Sequence, residues 1–244
     1  MSAGLPAQEE DKPRYVAAMF GRIAPRYDLM NALMTAAQDQ RWRRLVARAA
    51  ISGQPGERVL DVGTGTGRLA EAILALNPGA RVVGVDFTQA MLRRAPRRIA
   101  PTRADALELP FADGQFDAVV SAFLVRNLAS AGAGVDEQLR VLRPGGRLVI
   151  LETTPGPGGV VGAAIRLYFR LAIPLLGRLI AGDSAAYTYL PESTLKFLEP
   201  SGLAALLTER GVIAVTTRSM ALGSVAITYG RKPASSPFES RLSR

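Results

Sequence analysis

The chain of 244 residues contains no cysteine and no histidine. Without cysteine there is no disulfide, no thiolate metal ligand and no thiol nucleophile. Without histidine there is no Ser-His-Asp triad, no imidazole-ligated zinc or iron and no histidine general base. Lysine is scarce too: Lys12, Lys196 and Lys232 are three of 30 cations, and the remaining 27 are arginines. Arginine keeps its charge at all working pH values and grips carboxylates, phosphates and ring faces. Aromatic residues make up 6%, with a single tryptophan, Trp42. Chemistry in such a chain falls to carboxylates, tyrosine, arginine, backbone groups or a cofactor, and no metal site is expected.

Long uncharged apolar runs are missing as well. The longest apolar stretch, Val160 to Gly182, is interrupted by Arg166, Arg170, Arg178 and Pro174. A spanning helix needs about 20 apolar residues with few or no charges, so this stretch is expected not to cross a membrane. The first residues, MSAGLPAQEEDKPRYV, lack the basic start and apolar core of a signal peptide. What the chain does have is 48% apolar residues, enough for a sizeable core, and a net charge of +9.

Three parts follow in order. Residues 8–50 read as helical. Between Glu57 and Glu152, β-branched runs (Arg58–Val62, Arg81–Asp86, Phe116–Ala122, Arg147–Glu152) alternate with helical patterns. Continuous apolar strands separated by helices predict a parallel sheet covered on both faces. Beyond the apolar stretch, a helix at Pro200–Arg210 precedes two runs, Val212–Arg218 and Ser224–Tyr229, which read as a hairpin. These parts predict one domain over residues 1–232: helical cover (8–50), cofactor-binding core (57–152), substrate-lid helices (160–210) and hairpin (212–231). The polar tail 233–244 is expected to fray.

The first strand runs into VLDVGTGTG, with Gly63, Gly65, Thr66 and Gly67 ahead of a predicted helix at Arg68–Leu76. Glycines at such a turn permit a sharp bend and close approach of a ligand. The spacing G-x-G-x-G departs from the dinucleotide fingerprint, and Asp61 would repel a pyrophosphate while suiting a cationic amine. Asp86 ends the second strand about 20 residues on, where a carboxylate accepts ribose hydroxyls. The plainer alternative is that Asp61 and Asp86 are polar strand ends. Farther on stand Asp105 and Ala106, then Asp117 at the start of a strand, then LRPGGRLVILE.

This ordered set resembles the class I S-adenosylmethionine methyltransferases. The resemblance implies an α/β, Rossmann-like fold with a seven-stranded, mostly parallel sheet whose last strand is antiparallel. It implies S-adenosyl-L-methionine as cofactor, with Asp61 and the glycine loop at its methionine end, Asp86 at the ribose and Asp105 with Ala106 at the adenine. YDLMNALMTAAQDQRW (Tyr27–Trp42), FLVRN (Phe123–Asn127), RVLRPGGRLVILETT (Arg140–Thr154) and AYTYLPEST (Ala186–Thr194) narrow it further. They are similar to segments of the ubiquinone/menaquinone biosynthesis C-methyltransferases, from about Val16 to Lys232.

That resemblance implies C-methylation of a prenylated quinol ring, demethylmenaquinol to menaquinol or its ubiquinone-pathway counterpart. Because prenylated quinols live in the bilayer, the apolar stretch Val160–Ile180, with Arg166 and Arg170 four apart on one helical face, is expected either to sit at the boundary of an anionic membrane or to form a buried helix pair that lids the cofactor pocket with its arginines facing water. A cytoplasmic protein, peripheral at the inner face of the cell membrane, and a homodimer are further expectations. Tyr27, Arg126 and Asn127 are the catalytic candidates it implies around the quinol. Arg126 is read as stabilising the phenolate, or as a helix-start cation. Tyr27 is read as a substrate contact or a core aromatic, Asp28 as a helix cap, Trp42 as packing. Several positions depart from the family pattern: Thr35 for a usual Ser, Asp39 for His, Arg143 for Lys, Thr154 for Ser, Thr228 for His and Ala122 for Ser. Two other readings remain: a small-molecule methyltransferase of secondary metabolism on the same scaffold, and an RNA methyltransferase suggested by RWRRLVAR and RRAPRRIAPTR. No recognition motif or interleaved aromatic strip supports nucleic acid as a partner.

Overall fold

The computed structural model describes residues 12–234 apart from 182. The helical reading at residues 8–11 and most of the polar tail lie outside the described residues.

Strand β1 (Arg58–Val62) shows how the layers arise. Val59 is buried in one cluster and Leu60 in another, because successive side chains point to opposite faces of a strand. Under the Val59 face pack Trp42, Val46 and Ala50 of α3 (Gln38–Ala50) and Leu69 and Ile73 of α4 (Arg68–Leu76). Under the Leu60 face pack Val135 and Leu139 of α6 (Ala131–Val141) and Leu203 and Leu207 of α9 (Pro200–Glu209). The remaining strands are β2 (Arg81–Asp86), β3 (Ala100–Arg103), β4 (Phe116–Ala122), β5 (Leu142–Thr153), β6 (Ile213–Met220) and β7 (Val225–Arg231). A short helix α5 (Gln89–Leu92) links β2 and β3.

The seven strands lie in the order β3-β2-β1-β4-β5-β7-β6. β7 runs antiparallel to both neighbours, and the other pairs are parallel. The order reverses between β1 and β4, so a crevice opens at their carboxyl ends, where sheets of this type bind ligands.

Three features differ from the sequence reading. β5 starts at Leu142, not Arg147, because Pro144–Gly146 is absorbed as a bulge where the pairing with β4 shifts register. Asp28 does not cap α2 (Tyr27–Met34); it lies in the first turn, and its carboxylate accepts from the Thr66 hydroxyl and from Arg68. Pro174 does not end its helix: α7 runs Gly159–Leu176 and continues through a wider turn, Gly177–Ala181. Proline removes one N–H and clashes with the preceding turn. The helix nevertheless runs through Pro174 to Leu176. Gly159–Ile180 is therefore, by length and mean hydropathy, long and apolar enough to cross a membrane, against the expectation from its charges and proline.

A third cluster lies above the crevice. Met19 and Ile23 of α1 (Lys12–Ile23), Met30 of α2, Ile173 of α7, and Tyr187 and Tyr189 of α8 (Ser184–Leu195) pack there. This cluster brings the N-terminal helices and α7–α8 over the strand ends as one cover.

Candidate active site

The glycine loop leaves β1 with three left-handed residues, Gly63 (φ +70°), Gly65 (φ +57°) and Gly67 (φ +83°). Other L-residues pay about 1–2 kcal/mol for this conformation. Space adds to the demand at two of them. A Cβ on Gly63 would stand 2.8 Å from Leu124, and one on Gly67 would stand 2.7 Å from Ile99. At Gly65 a Cβ would meet nothing within 4 Å.

Asp86 organises this loop from the neighbouring strand. One of its oxygens accepts the Gly65 amide at 2.9 Å and the other the Thr88 amide at 2.7 Å. Burial pushes the Asp86 carboxyl above its usual range, and the two amides pull it back. Asp61, 1% exposed, lies beneath the loop. Its Oδ2 accepts the Thr64 hydroxyl at 2.7 Å, while Oδ1 has no hydrogen-bond partner among the described residues. Burial raises its pKa to about 7, against the Thr64 hydrogen bond and the Arg43 charge, which lower it.

A cavity of about 830 Å³, counting its open mouth, lies against this loop. Gly63, Gly65, Asp86, Asp105 and Ala106 line it together. Asp61, Thr66 and Gly67 stand behind the wall: Thr66 donates to Asp28, and Gly67 precedes α4. Asp105 holds its own turn by accepting the Leu107 amide at 2.9 Å. Val16 and Phe20 of α1 form part of the roof, and Phe87 and Met91 part of the side. These four are not legible as site residues from the loop motif. The apolar face of α1 is the sequence signal that could have found two of them.

A second cavity, about 1800 Å³ with its open space, lies on the other side of Tyr27 and Phe123, which line both. Its walls are mostly apolar, from α7, Leu33, Met34 and Trp42, with Arg126, Asp39 and Thr35 among the polar exceptions. Arg126 is 8% exposed and pairs through Nη1 with Glu152, which is fully buried. Glu152 also accepts the main-chain amides of Arg126 and Thr153. The Nε of Arg126 has no hydrogen-bond partner among the described residues. Asn127, which lines the first cavity, donates to the Phe123 carbonyl at 2.9 Å, and its buried Oδ1 has no partner among the described residues. The three catalytic candidates thus meet at the partition between the cavities. Of the family departures, Ala122 lines the first cavity and Thr35 and Asp39 the second. Arg143 instead pairs with Asp117 at the surface, Thr154 donates to the Gly223 carbonyl, and Thr228 meets Thr217 inside the sheet.

Two residues of this partition escaped sequence reasoning. Phe123 has φ +59°, a left-handed backbone rare for an aromatic residue. Two guanidinium groups lie near its ring, Arg43 at 5.6 Å and Arg126 at 5.9 Å from the ring centre. Glu152 reads in the sequence only as a strand end.

The model of the ubiE/COQ5 methyltransferase family matches residues 7–232. The chain belongs to the ubiE/COQ5 methyltransferase family. It is accordingly an S-adenosylmethionine-dependent methyltransferase. The chain is 46% identical over 222 residues to the demethylmenaquinone methyltransferase of Thermus thermophilus, covering 88% of this chain and all of that one. It is 45% identical over 223 residues to the ubiquinone/menaquinone biosynthesis C-methyltransferase UbiE of Desulfotalea psychrophila, covering 89% and 90%. Among solved structures, a methyltransferase of Haloferax volcanii in complex with its Trm112 activator superposes with a TM-score of 0.63. It covers 88% of this chain and 97% of that one at 17% identity, a likeness of fold.

The family's cofactor fits the first cavity on three observations. Gly65 leaves open space at the loop, the Asp86 carboxylate is in the wall, and Asp61 keeps a buried oxygen unpartnered.

Proposed function

We propose that this enzyme methylates a ring carbon of a prenylated quinol in quinone biosynthesis, converting demethylmenaquinol to menaquinol. The observation that carries the reading is the pair of cavities joined at Tyr27 and Phe123. One is a glycine-loop site with carboxylates; the other is large, apolar and furnished with a buried arginine. An isoprenoid-bearing ring calls for such a second chamber.

S-adenosylmethionine supplies an electrophilic methyl group on a sulfonium sulfur. Asp86 accepts its ribose hydroxyls, Asp61 serves the amine at the methionine end, and Asp105 with Ala106 holds the adenine. Arg126 faces the ring oxygen and stabilises the phenolate that makes the neighbouring carbon nucleophilic. It is too basic to take a proton in the ordinary way, so once the methyl has passed from sulfur to the ring carbon, that carbon's proton leaves to water, a tyrosine, a carboxylate or the ring oxygen itself. Tyr27 and Asn127 hold the reactants in line from the partition. The test is incubation with labelled methyl donor and reduced demethylmenaquinone, a prenylated benzoquinol or a soluble phenol, followed by mass analysis. Labelled menaquinol is expected. Exclusive labelling of the soluble phenol would favour a secondary-metabolism methyltransferase.

Prenylated quinols reside in bilayers, and α7 supplies a place to collect them. Val160 is 87% exposed, Leu171 63% and Leu179 72%, while Val160 and Val161 also reach the mouth of the second cavity. Exposed Arg170 and Arg178 accompany them. An apolar helical face with cations suits the headgroup boundary of an anionic membrane. Binding to anionic vesicles at low salt, weakened by Leu171→Asp, is expected in flotation. Parent protein that fails to float and forms dimers in light scattering would assign this face to a second copy of the chain.

A further inference from the structure

The wall of the second cavity carries a second arginine–carboxylate pair, outside the catalytic trio. Asp39, in the first turn of α3, is 6% exposed and lines that cavity. Its Oδ2 accepts from Arg43, one helical turn on, which is also 6% exposed. The Thr35 hydroxyl, donated to the Asn31 carbonyl at 2.7 Å, stands 3.3 Å from the other Asp39 oxygen. Arg43 and Arg126 both reach the ring of Phe123, so the two pairs share one aromatic partner in the wall.

We infer that Asp39 accepts a hydrogen bond from the second hydroxyl of the ring substrate, opposite the oxygen held by Arg126, and so sets which ring carbon faces the methyl donor. The inference rests on the quinol reading above. Its chemistry is complementary at the two ends. When one quinol oxygen is anionic it wants a cationic donor, which Arg126 provides. The other oxygen still carries its proton and wants an acceptor. An ionised carboxylate is acceptor-only, with lone pairs to spare beyond those used by Arg43. Burying that carboxylate alone would be costly, and Arg43 offsets its charge, which makes Arg43 a positioning residue. Trp42, also in this wall, gives the ring an apolar surface beside the acceptor.

The test compares two substrates: the reduced prenylated quinol, and the same prenylated ring bearing a single hydroxyl. A site built to bond a hydroxyl rejects the analogue that lacks it, here by about tenfold or more in kcat/KM. Asp39→Asn keeps an acceptor for Arg43 and presents an amide donor to the cavity. It is expected to bring the two substrates within a few fold of each other, chiefly through a raised KM for the quinol, and to spread methylation over more than one ring carbon. The double variant Asp39→Leu/Arg43→Met, which removes both charges, is expected to do the same and covers the case in which the single variant does not fold. A parent enzyme that treats both substrates alike overturns the inference, as do variants that keep the parent's preference and regiochemistry. If the parent methylates neither ring, the quinol reading itself falls, and this one with it.

Discussion

Arg126 and Glu152, 26 residues apart in sequence, form an ion pair with almost none of either side chain exposed. Parallel pairing of β4 with β5 brings the short helical turn after β4 beside the end of β5, so the pair depends on sheet register. Breaking a buried pair from one side leaves an uncompensated charge, at about 3–5 kcal/mol. Arg126→Ala is therefore expected to lower turnover by roughly a hundredfold or more and also to destabilise the fold. Arg126→Met/Glu152→Gln is expected to recover stability in thermal unfolding without recovering turnover. Recovery of both would reduce the arginine to a structural role.

Asp86 is expected to matter to cofactor binding through two routes, its place in the cavity wall and its hold on the Gly65 amide. A hydrogen bond to a charged group contributes about 1.5–3 kcal/mol. Asp86→Ala should weaken S-adenosylmethionine binding by at least about tenfold in calorimetric titration. Unchanged affinity would remove Asp86 from the binding site.

The loop glycines should separate strain from occupancy. Gly67→Ala places a Cβ against Ile99 and Pro96 and should lower stability by more than the roughly 1–2 kcal/mol of left-handed strain alone. Gly65→Ala has room, so its stability cost should stay near the strain value. Its methyl group would project into cofactor space instead. Its loss of cofactor affinity should exceed its loss of stability, measured by titration beside urea unfolding.

Asp61 should make the unliganded protein lose stability as pH rises. Its pKa is about 7 folded against 3.8 when unperturbed, so the folded state holds this proton more tightly than the unfolded chain. The contribution is complete below the unfolded value and fades as pH climbs through 7. The stability difference between parent and Asp61→Asn should therefore shift against the parent between about pH 4 and pH 7 in urea unfolding. A constant difference across that window would contradict the raised pKa. Cofactor binding, which calls on the ionised carboxylate, should release protons near neutral pH.

Much of the cofactor side was legible because its signals are local. A strand that ends in glycines, and an acid that ends the next strand, are written in consecutive residues. Asp28 shows the limit: read locally as a cap, it instead ties α2 to Thr66 and Arg68, 38 and 40 residues away. Phe123 stands within FLVRN, yet nothing in its neighbours announces a left-handed backbone or a ring near two guanidinium groups. The local rule that proline kinks or breaks a helix is strong, yet α7 carries Pro174 inside it.

The sequence by itself determined the strand–helix alternation, the closing hairpin, the glycine loop with Asp86 and the family, whose resemblance carried the count of seven strands. Each of these follows from apolar periodicity, glycine's conformational freedom or the order of motifs along the chain. Only the tertiary structure decided that Tyr27 and Phe123 divide two cavities, that Glu152 neutralises Arg126, that Asp39 stands in the wall of the second cavity paired with Arg43, and that α7 shows its apolar side outward. Those relations join residues far apart in the chain, and they are set by strand register and helix packing, which no stretch of neighbouring residues encodes.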